Sequence, residues 1–235
     1  MFEDRTSFIV KIFVAGDKRR VTEFRNKLNH EITHDDSLIH NKQSLDSFDV
    51  IVDFNADERN DVSVYFSLTQ NKILILSAVK KSLANLVHES GKKVECAVVG
   101  INALPTFIDR NQMEISFLKK ENRSRFETFA KEMKFDFLEV QDRVGMVTPR
   151  VICMIINEAC FTLQEGTASM EDIDKGMKLG TNYPFGPFEW CDRIGIKDVY
   201  ETLDAVWNDT HDPRYRICPL LKTKYLKTES FYQRF

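Results

Sequence analysis

The residues best placed for chemistry near the start of the chain are Gly16-Asp17-Lys18-Arg19-Arg20. They follow an apolar run and open an amphipathic stretch, so they read as a strand-to-helix turn. Backbone N–H groups and the helix dipole at such a turn suit an anion. Lys18, Arg19 and Arg20 would add side-chain charge to that grip. A dinucleotide turn, however, needs several glycines so that the backbone can approach a pyrophosphate. Here only Gly16 is present, Asp17 adds negative charge, and bulky Lys18 and Arg19 follow. The alternative is a solvated basic surface at an ordinary turn. Asp35 and Asp36 stand where a ribose would be gripped in such a fold, or else in an exposed loop. His30, His34 and His40 lie nearby without the spacing of a metal site, and no metal is expected.

The elements that must position these residues follow from the apolar pattern. Phe8 to Ala15, Phe48 to Phe54, Lys72 to Leu76 and Cys96 to Val99 are short, nearly continuous apolar runs of the kind buried in a parallel sheet. Helical patterns fall between or after them, at Arg19 to Asn29, Asp57 to Leu68, Ser82 to His88 and Arg123 to Lys134. A further strand is expected at Asp136 to Val140, and Met113 to Leu118 reads as an added edge strand. Alternating strands and helices imply a doubly wound, mostly parallel α/β sheet over residues 1–141. Ligands of such a sheet sit at the carboxyl ends of the strands.

From residue 142 onward the pattern is all-helical. Thr148 to Glu165 is one long helix. Ser169 caps a second, which Gly180 would close, and Pro187 opens a third that ends near Gly195. Lys197 to Asn208 and Pro219 to Lys227 complete an all-α domain over residues 142–235.

Composition bounds the function. The chain has 235 residues, 43% hydrophobic and 29% charged, with a net charge of -3. That is an ordinary globular balance, with no overall bias toward nucleic acid or a membrane surface. No apolar run is long enough to span a bilayer, and the charged N-terminus is unlike a signal peptide. Five cysteines, an odd number with no C-x-x-C, argue against disulfides or zinc and fit a cytoplasmic protein.

The second half carries a resemblance. Asn157-Glu-Ala, Glu165-Gly166, Glu171-Asp-Ile-Asp-Lys, Met177-Lys-Leu-Gly, Tyr183-Pro-Phe-Gly-Pro-Phe-Glu189, Asp192 and the closing Pro219-Leu-Leu and Phe231-Tyr232 resemble the 3-hydroxyacyl-CoA dehydrogenase family. The resemblance implies a Rossmann NAD domain followed by a helical domain used for dimerisation. It also implies oxidation of a 3-hydroxyacyl-CoA by hydride transfer to NAD.

Carried over residue by residue, the resemblance places the catalytic glutamate at Glu114. The catalytic histidine, twelve positions earlier, falls on Asn102. The substrate-binding serine falls on Lys81, with Ser82 one position away. The asparagine at the start of the long helix falls on Pro149, beside Arg150. The cofactor turn falls on Gly16, Lys18 and Arg19, with Asp36 at the ribose position. A base is needed to take the hydroxyl proton as hydride leaves, and Asn102 cannot accept it.

The expectation is therefore a diverged family member with weak or no dehydrogenase activity. It would keep the fold and a homodimer, and bind a nucleotide or an acyl-CoA-like ligand. One alternative is a working NAD-dependent 3-hydroxybutyryl-CoA dehydrogenase of fatty-acid metabolism with a rearranged site. Another is a structural dimerisation partner. The diagnostic feature is the cleft at Gly16, Asn102 and Glu114, either open or filled by Lys18, Arg19 and Lys81.

Overall fold

The structure, a computed structural model, describes residues 10–28 and 30–232. Its first part is a sheet built from β1 (Ile12–Ala15), β2 (Ile32–His34), β3 (Val50–Asp53), β4 (Ile73–Ser77), β5 (Ala97–Ile101), β6 (Gln112–Phe117) and β7 (Asp136–Glu139). The order is β2-β1-β3-β4-β5-β6-β7. The first five strands are parallel, β6 runs antiparallel to β5, and β7 is parallel to β6. The helices of this part are α1 (Lys18–Lys27), the single turn α2 (Lys42–Leu45), α3 (Leu83–Ser90) and α4 (Arg123–Met133).

Strands β1, β3, β4 and β5 are buried along their whole length, which is why they read as unbroken apolar runs. Alternate side chains feed two cores. Ile12, Val14, Val50 and Val52 face α1 and α4, with Phe24, Phe126 and Phe129. Phe13, Ile51, Leu74 and Leu76 face the other side, with Tyr65, Phe66, Leu83 and Leu86.

Several expectations change. The Met113 to Leu118 strand is not an edge: β6 lies between β5 and β7, and β7 closes the sheet. Asp57 to Leu68 is not a helix but two short 3-10 turns, Ala56–Glu58 and Tyr65–Ser67. Polar side chains compete locally for its hydrogen bonds. Asp61 accepts from the Ser63 amide, and Asp53 accepts from the Tyr65 hydroxyl and Arg59. Of the first expected strand, Phe8 and Ile9 lie outside the described residues.

The helical part holds α5 (Thr148–Gln164), α6 (Met170–Thr181), α7 (Pro187–Ile194), α8 (Ile196–Thr210) and α9 (Pro219–Lys227). Gly180 lies inside α6; the helix ends at Asn182, which takes the left-handed conformation at φ 56°. The core gathers Ile152, Cys153, Ile156, Cys160, Phe188, Trp190 and Leu203. Val79, Leu104 and Phe107 of the sheet part enter the same core, so the two parts share packed side chains. Among the described residues, no helix is long and apolar enough to cross a membrane.

Candidate functional site

The crevice above the carboxyl ends of β1, β3 and β4 is where a ligand of this fold would sit. Its first wall is the β1–α1 turn. Gly16 has φ 129°, and a Cβ there would lie 2.9 Å from Asn55 Oδ1 and from Phe54 Cβ, so the turn requires glycine. Its amide donates to Asp36 Oδ1 at 2.9 Å, and the Asp17 amide donates to Asn55 Oδ1 at 2.8 Å. The Asp17 carboxylate caps α1, accepting from the Arg19 and Arg20 amides at 3.0 and 3.1 Å. These four N–H groups are thus already bonded to side chains of the chain itself. Lys18 is exposed. Arg19 spans to the helical part, donating to the Arg193 carbonyl at 2.5 Å.

Arg20 turns inward and is 3% exposed. Its guanidinium donates to the Phe54 carbonyl at 2.6 Å, to Glu58 at 3.0 Å and to Asp198 of α8 at 2.8 Å. Lys80, just after β4, reaches the same Asp198 oxygen at 2.8 Å, Glu58 at 3.0 Å and Glu201 at 2.6 Å. Lys197 closes the group on Glu58 at 2.7 Å. Burial disfavours the charge on Arg20 and Lys80, but Asp198 and Glu58 outweigh it and hold both above their usual ranges. Burial pushes Glu58 up, yet Lys80, Lys197 and Arg20 together bring it down to about 2. Asp57 is fully enclosed and raised by that burial, and it accepts the Val79 and Lys80 amides at 2.9 and 2.8 Å.

Beside this cluster lies a cavity of about 580 Å³. Asp17, Asp36, Glu58 and Asp61 line it, with Arg59 and His40. Arg59 is tied to Asp53 at 2.5 Å. The lining is therefore richer in carboxylates than in cations.

The second group of candidates meets where β5, β6 and α5 converge. Asn102 is buried; its amide donates to the Glu114 carbonyl at 3.1 Å, and its side-chain oxygen accepts from the Leu104 amide at 3.3 Å. Glu114 is 7% exposed. It accepts the Thr148 amide at 2.7 Å, the Val147 amide at 3.3 Å and the Thr148 hydroxyl, so it caps the start of α5. Pro149 is buried in that first turn, where its missing N–H costs nothing.

The loop after Asn102 fills the space between the two parts. Leu104 and Phe107 pack with Met146 and Ile152, and the Arg110 guanidinium lies 4.0 Å over the Phe107 ring. Glu23 of α1 holds the loop by accepting the Thr106 amide with both oxygens, at 3.2 and 3.0 Å.

Glu114, Asn102 and Pro149 are thus brought together, and Gly16 and Asp36 are directly bonded. Lys81 joins neither group; its ammonium pairs with Glu89 at 2.7 Å on the surface. The cleft is filled, but not by Lys18 and Lys81. Lys80, Arg20, Leu104 and Phe107 fill it, and Arg19 crosses it at one point. The sequence signal for Lys80 was only its neighbour, Lys81. Asp198 and Glu201, three apart on α8, gave no sign of their distant partners.

Comparison with known proteins fits this architecture. Residues 145–231 match the 3-hydroxyacyl-CoA dehydrogenase C-terminal domain. Over these residues the chain carries a domain of the 3-hydroxyacyl-CoA dehydrogenase C-terminal type. The 3-hydroxyadipyl-CoA dehydrogenase of Escherichia coli (strain K12) is 42% identical over 96 residues, which are 41% of this chain and 20% of that protein. The 3-hydroxybutyryl-CoA dehydrogenase of Clostridioides difficile is 27% identical over 187 residues, 77% of this chain and 66% of that protein. The match therefore spans less than two thirds of the length of either relative. The crystal structure of (S)-3-hydroxybutyryl-CoA dehydrogenase from Ralstonia eutropha superposes with a TM-score of 0.72 at 17% identity, covering 96% of this chain and 100% of that one, and establishes the shared fold.

Within the 3-hydroxyacyl-CoA dehydrogenase C-terminal domain, the residues of the resemblance do structural work. Asn157 joins α5 to the Arg216 carbonyl and the Cys218 amide, at 3.0 and 2.8 Å. Asp174 accepts the Phe188 and Glu189 amides and the Tyr232 hydroxyl. A Cβ on Gly186 would lie 2.2 Å from Asp174 Cγ, so glycine permits that approach. Asp192 accepts the Phe231 and Tyr232 amides at 2.8 and 2.6 Å.

Proposed function

We propose that this protein is a 3-hydroxyacyl-CoA dehydrogenase-like scaffold with weak or absent dehydrogenase activity. The observation that carries this reading is the Asn102–Glu114 pair. The amide cannot take a hydroxyl proton, and the carboxylate is engaged by the amides and hydroxyl that begin α5. Loss of a general base costs roughly two to four orders of magnitude in rate. NAD does not fit the β1–α1 turn in this arrangement. Its pyrophosphate would meet the Asp17 carboxylate, and the amides of Gly16, Asp17, Arg19 and Arg20 already have acceptors.

The reading includes a homodimer through the helical domain, on which the family resemblance alone bears. It also includes a nucleotide or acyl-CoA-like ligand and a cytoplasmic setting, which the five free, buried cysteines support.

The test is absorbance of NADH formed from 3-hydroxybutyryl-CoA and NAD. Turnover within tenfold of that of a typical enzyme, on the order of 10 s⁻¹, would sink the reading. The rival reading is a working dehydrogenase with Glu114 as the base. It is favoured by the position of that carboxylate beside Asn102 and by the names of the relatives. It requires turnover that Glu114→Gln abolishes.

A further inference from the structure

The helical domain sends two carboxylates, Asp198 and Glu201, into the crevice of the sheet domain. We propose that they form an autoinhibitory contact: α8 satisfies with its own charge the cations that would otherwise hold a phosphorylated ligand. The inference rests on the preceding reading, in which the crevice is closed to NAD.

The geometry carries the argument. Arg20 rises from the turn after β1 and Lys80 from the turn after β4, the two strand ends that flank β3 in this sheet. Ligand anions of this fold approach that place. Both cations converge on one oxygen, Asp198 Oδ1, each at 2.8 Å. One anionic oxygen shared by two cations is the arrangement a phosphate oxygen would adopt there. Glu201 takes a further proton of the Lys80 ammonium at 2.6 Å.

Stability alone is a weak reason for this cluster. Buried ion pairs gain little over apolar packing once desolvation is counted. With Asp57 counted, three cations (Arg20, Lys80, Lys197) face five carboxylates (Asp17, Asp57, Glu58, Asp198, Glu201). Removing the two charges from α8 takes the group from net negative to balanced. Room for the rest of a ligand exists alongside. The cavity of about 580 Å³ shares Asp17 and Glu58 with the cluster. Its acidic lining disfavours phosphate inside it, so the phosphates would lie at Arg20 and Lys80 and an uncharged nucleoside in the cavity.

The experiment is calorimetric titration of the full chain with ADP at low ionic strength, with adenosine and inorganic pyrophosphate titrated separately. Wild type is compared with Asp198→Asn/Glu201→Gln, and circular dichroism verifies the fold of each. The double variant is expected to bind ADP on the order of tenfold more tightly than wild type or better, as expected when repulsive charge is taken from a close anion site. Pyrophosphate should keep part of the gain and adenosine should show none. A folded double variant with no gain overturns the proposal. So does a wild-type protein that binds ADP as tightly as the variant, or a gain shown equally by adenosine.

If the double variant does not fold, Glu201→Gln alone decides. Its carboxylate is a quarter exposed, so the change is tolerable, and a gain of about two- to threefold is expected. No gain in it overturns the proposal. NADH formation by wild type, measured separately, bears on the closed-crevice reading. A failed ADP titration without such turnover removes only the autoinhibitory contact.

Discussion

Two regions of this molecule use the same interaction to different ends. In the helical domain, Asp174 and Asp192 turn their carboxylates onto backbone amides: Asp174 onto those that open α7, and Asp192 onto those of the closing segment. Donor and acceptor there belong to one packed unit. In the sheet domain Asp17 caps α1; across the joint, Glu114 caps α5 and Asp142 accepts the Leu83 and Ala84 amides of α3. Asp17 and Glu114 fall where the family resemblance places cofactor binding and proton transfer. A carboxylate that satisfies a helix end cannot also leave that end free for an anion. The resemblance is therefore strongest where the motif residues hold the fold and weakest where they would hold a ligand. Kinship read from Asn157, Asp174, Gly186 and Asp192 reports packing, and it carries over to chemistry only through the sheet domain.

The largest effect is expected at the joint between the regions. Arg20→Ala should leave Asp198 and Glu58 short of a partner in a buried place. Removing one member of such a group costs about 3–5 kcal/mol, read from urea unfolding. A cost no larger than that of a surface substitution would mean that the regions are not bolted together by charge. Next comes a carboxylate internal to the helical domain. Asp174→Ala strips two amides of α7 and the Tyr232 hydroxyl of their acceptor, and should cost about 2–3 kcal/mol. Its effect should be on stability alone. Altered ligand binding in that variant would blur the division drawn between the regions.

How much of this was legible follows from particular residues. Strands β1, β3 and β4 are buried on both faces, so their apolar runs stood out in the sequence. Strand β2 did not, because Ile32-Thr33-His34 is an outer strand, half-buried to exposed, with one apolar residue in three. The caps at Ser169 and Pro187 were readable because their partners are local. Glu114 and Asn102 were placed through the family spacing, but their contacts were not. The amides that engage Glu114 lie 33 and 34 positions away. Arg20 and Asp198 are 178 positions apart. No periodicity in a single chain encodes such a pairing; only the packing of α8 over the strand ends creates it.

The joint should also respond to acid. Glu58, held down at about 2 in the folded chain, titrates near 4.5 when unfolded. Its folded pKa is depressed, so its contribution is present above the unfolded value and is lost as pH falls from there toward 2. Solvent screening of a partly exposed group limits the effect to about 1–2 kcal/mol. Asp57 works in the opposite sense. Burial raises its pKa, so its cost grows as pH rises from its unfolded value of 3.8. Glu58→Gln should therefore flatten the acid limb of a pH–stability curve measured by urea unfolding. A curve as steep as that of wild type would place the acid sensitivity elsewhere.

The smallest effect separates two adjacent lysines. Sequence register put Lys81 at the substrate-binding position, whereas the chain turns Lys80 inward and Lys81 outward. The side chain of Lys80 is 8% exposed and holds three carboxylates; that of Lys81 is 31% exposed and meets only Glu89, itself 48% exposed. A pair so wet is worth less than about 0.5 kcal/mol. Lys81→Ala should leave the urea midpoint and any anion binding unchanged. A measurable loss of binding in Lys81→Ala, with Lys80 intact, would mean that the loop after β4 can present the other lysine to the crevice. The filled arrangement would then be one of two states of that loop.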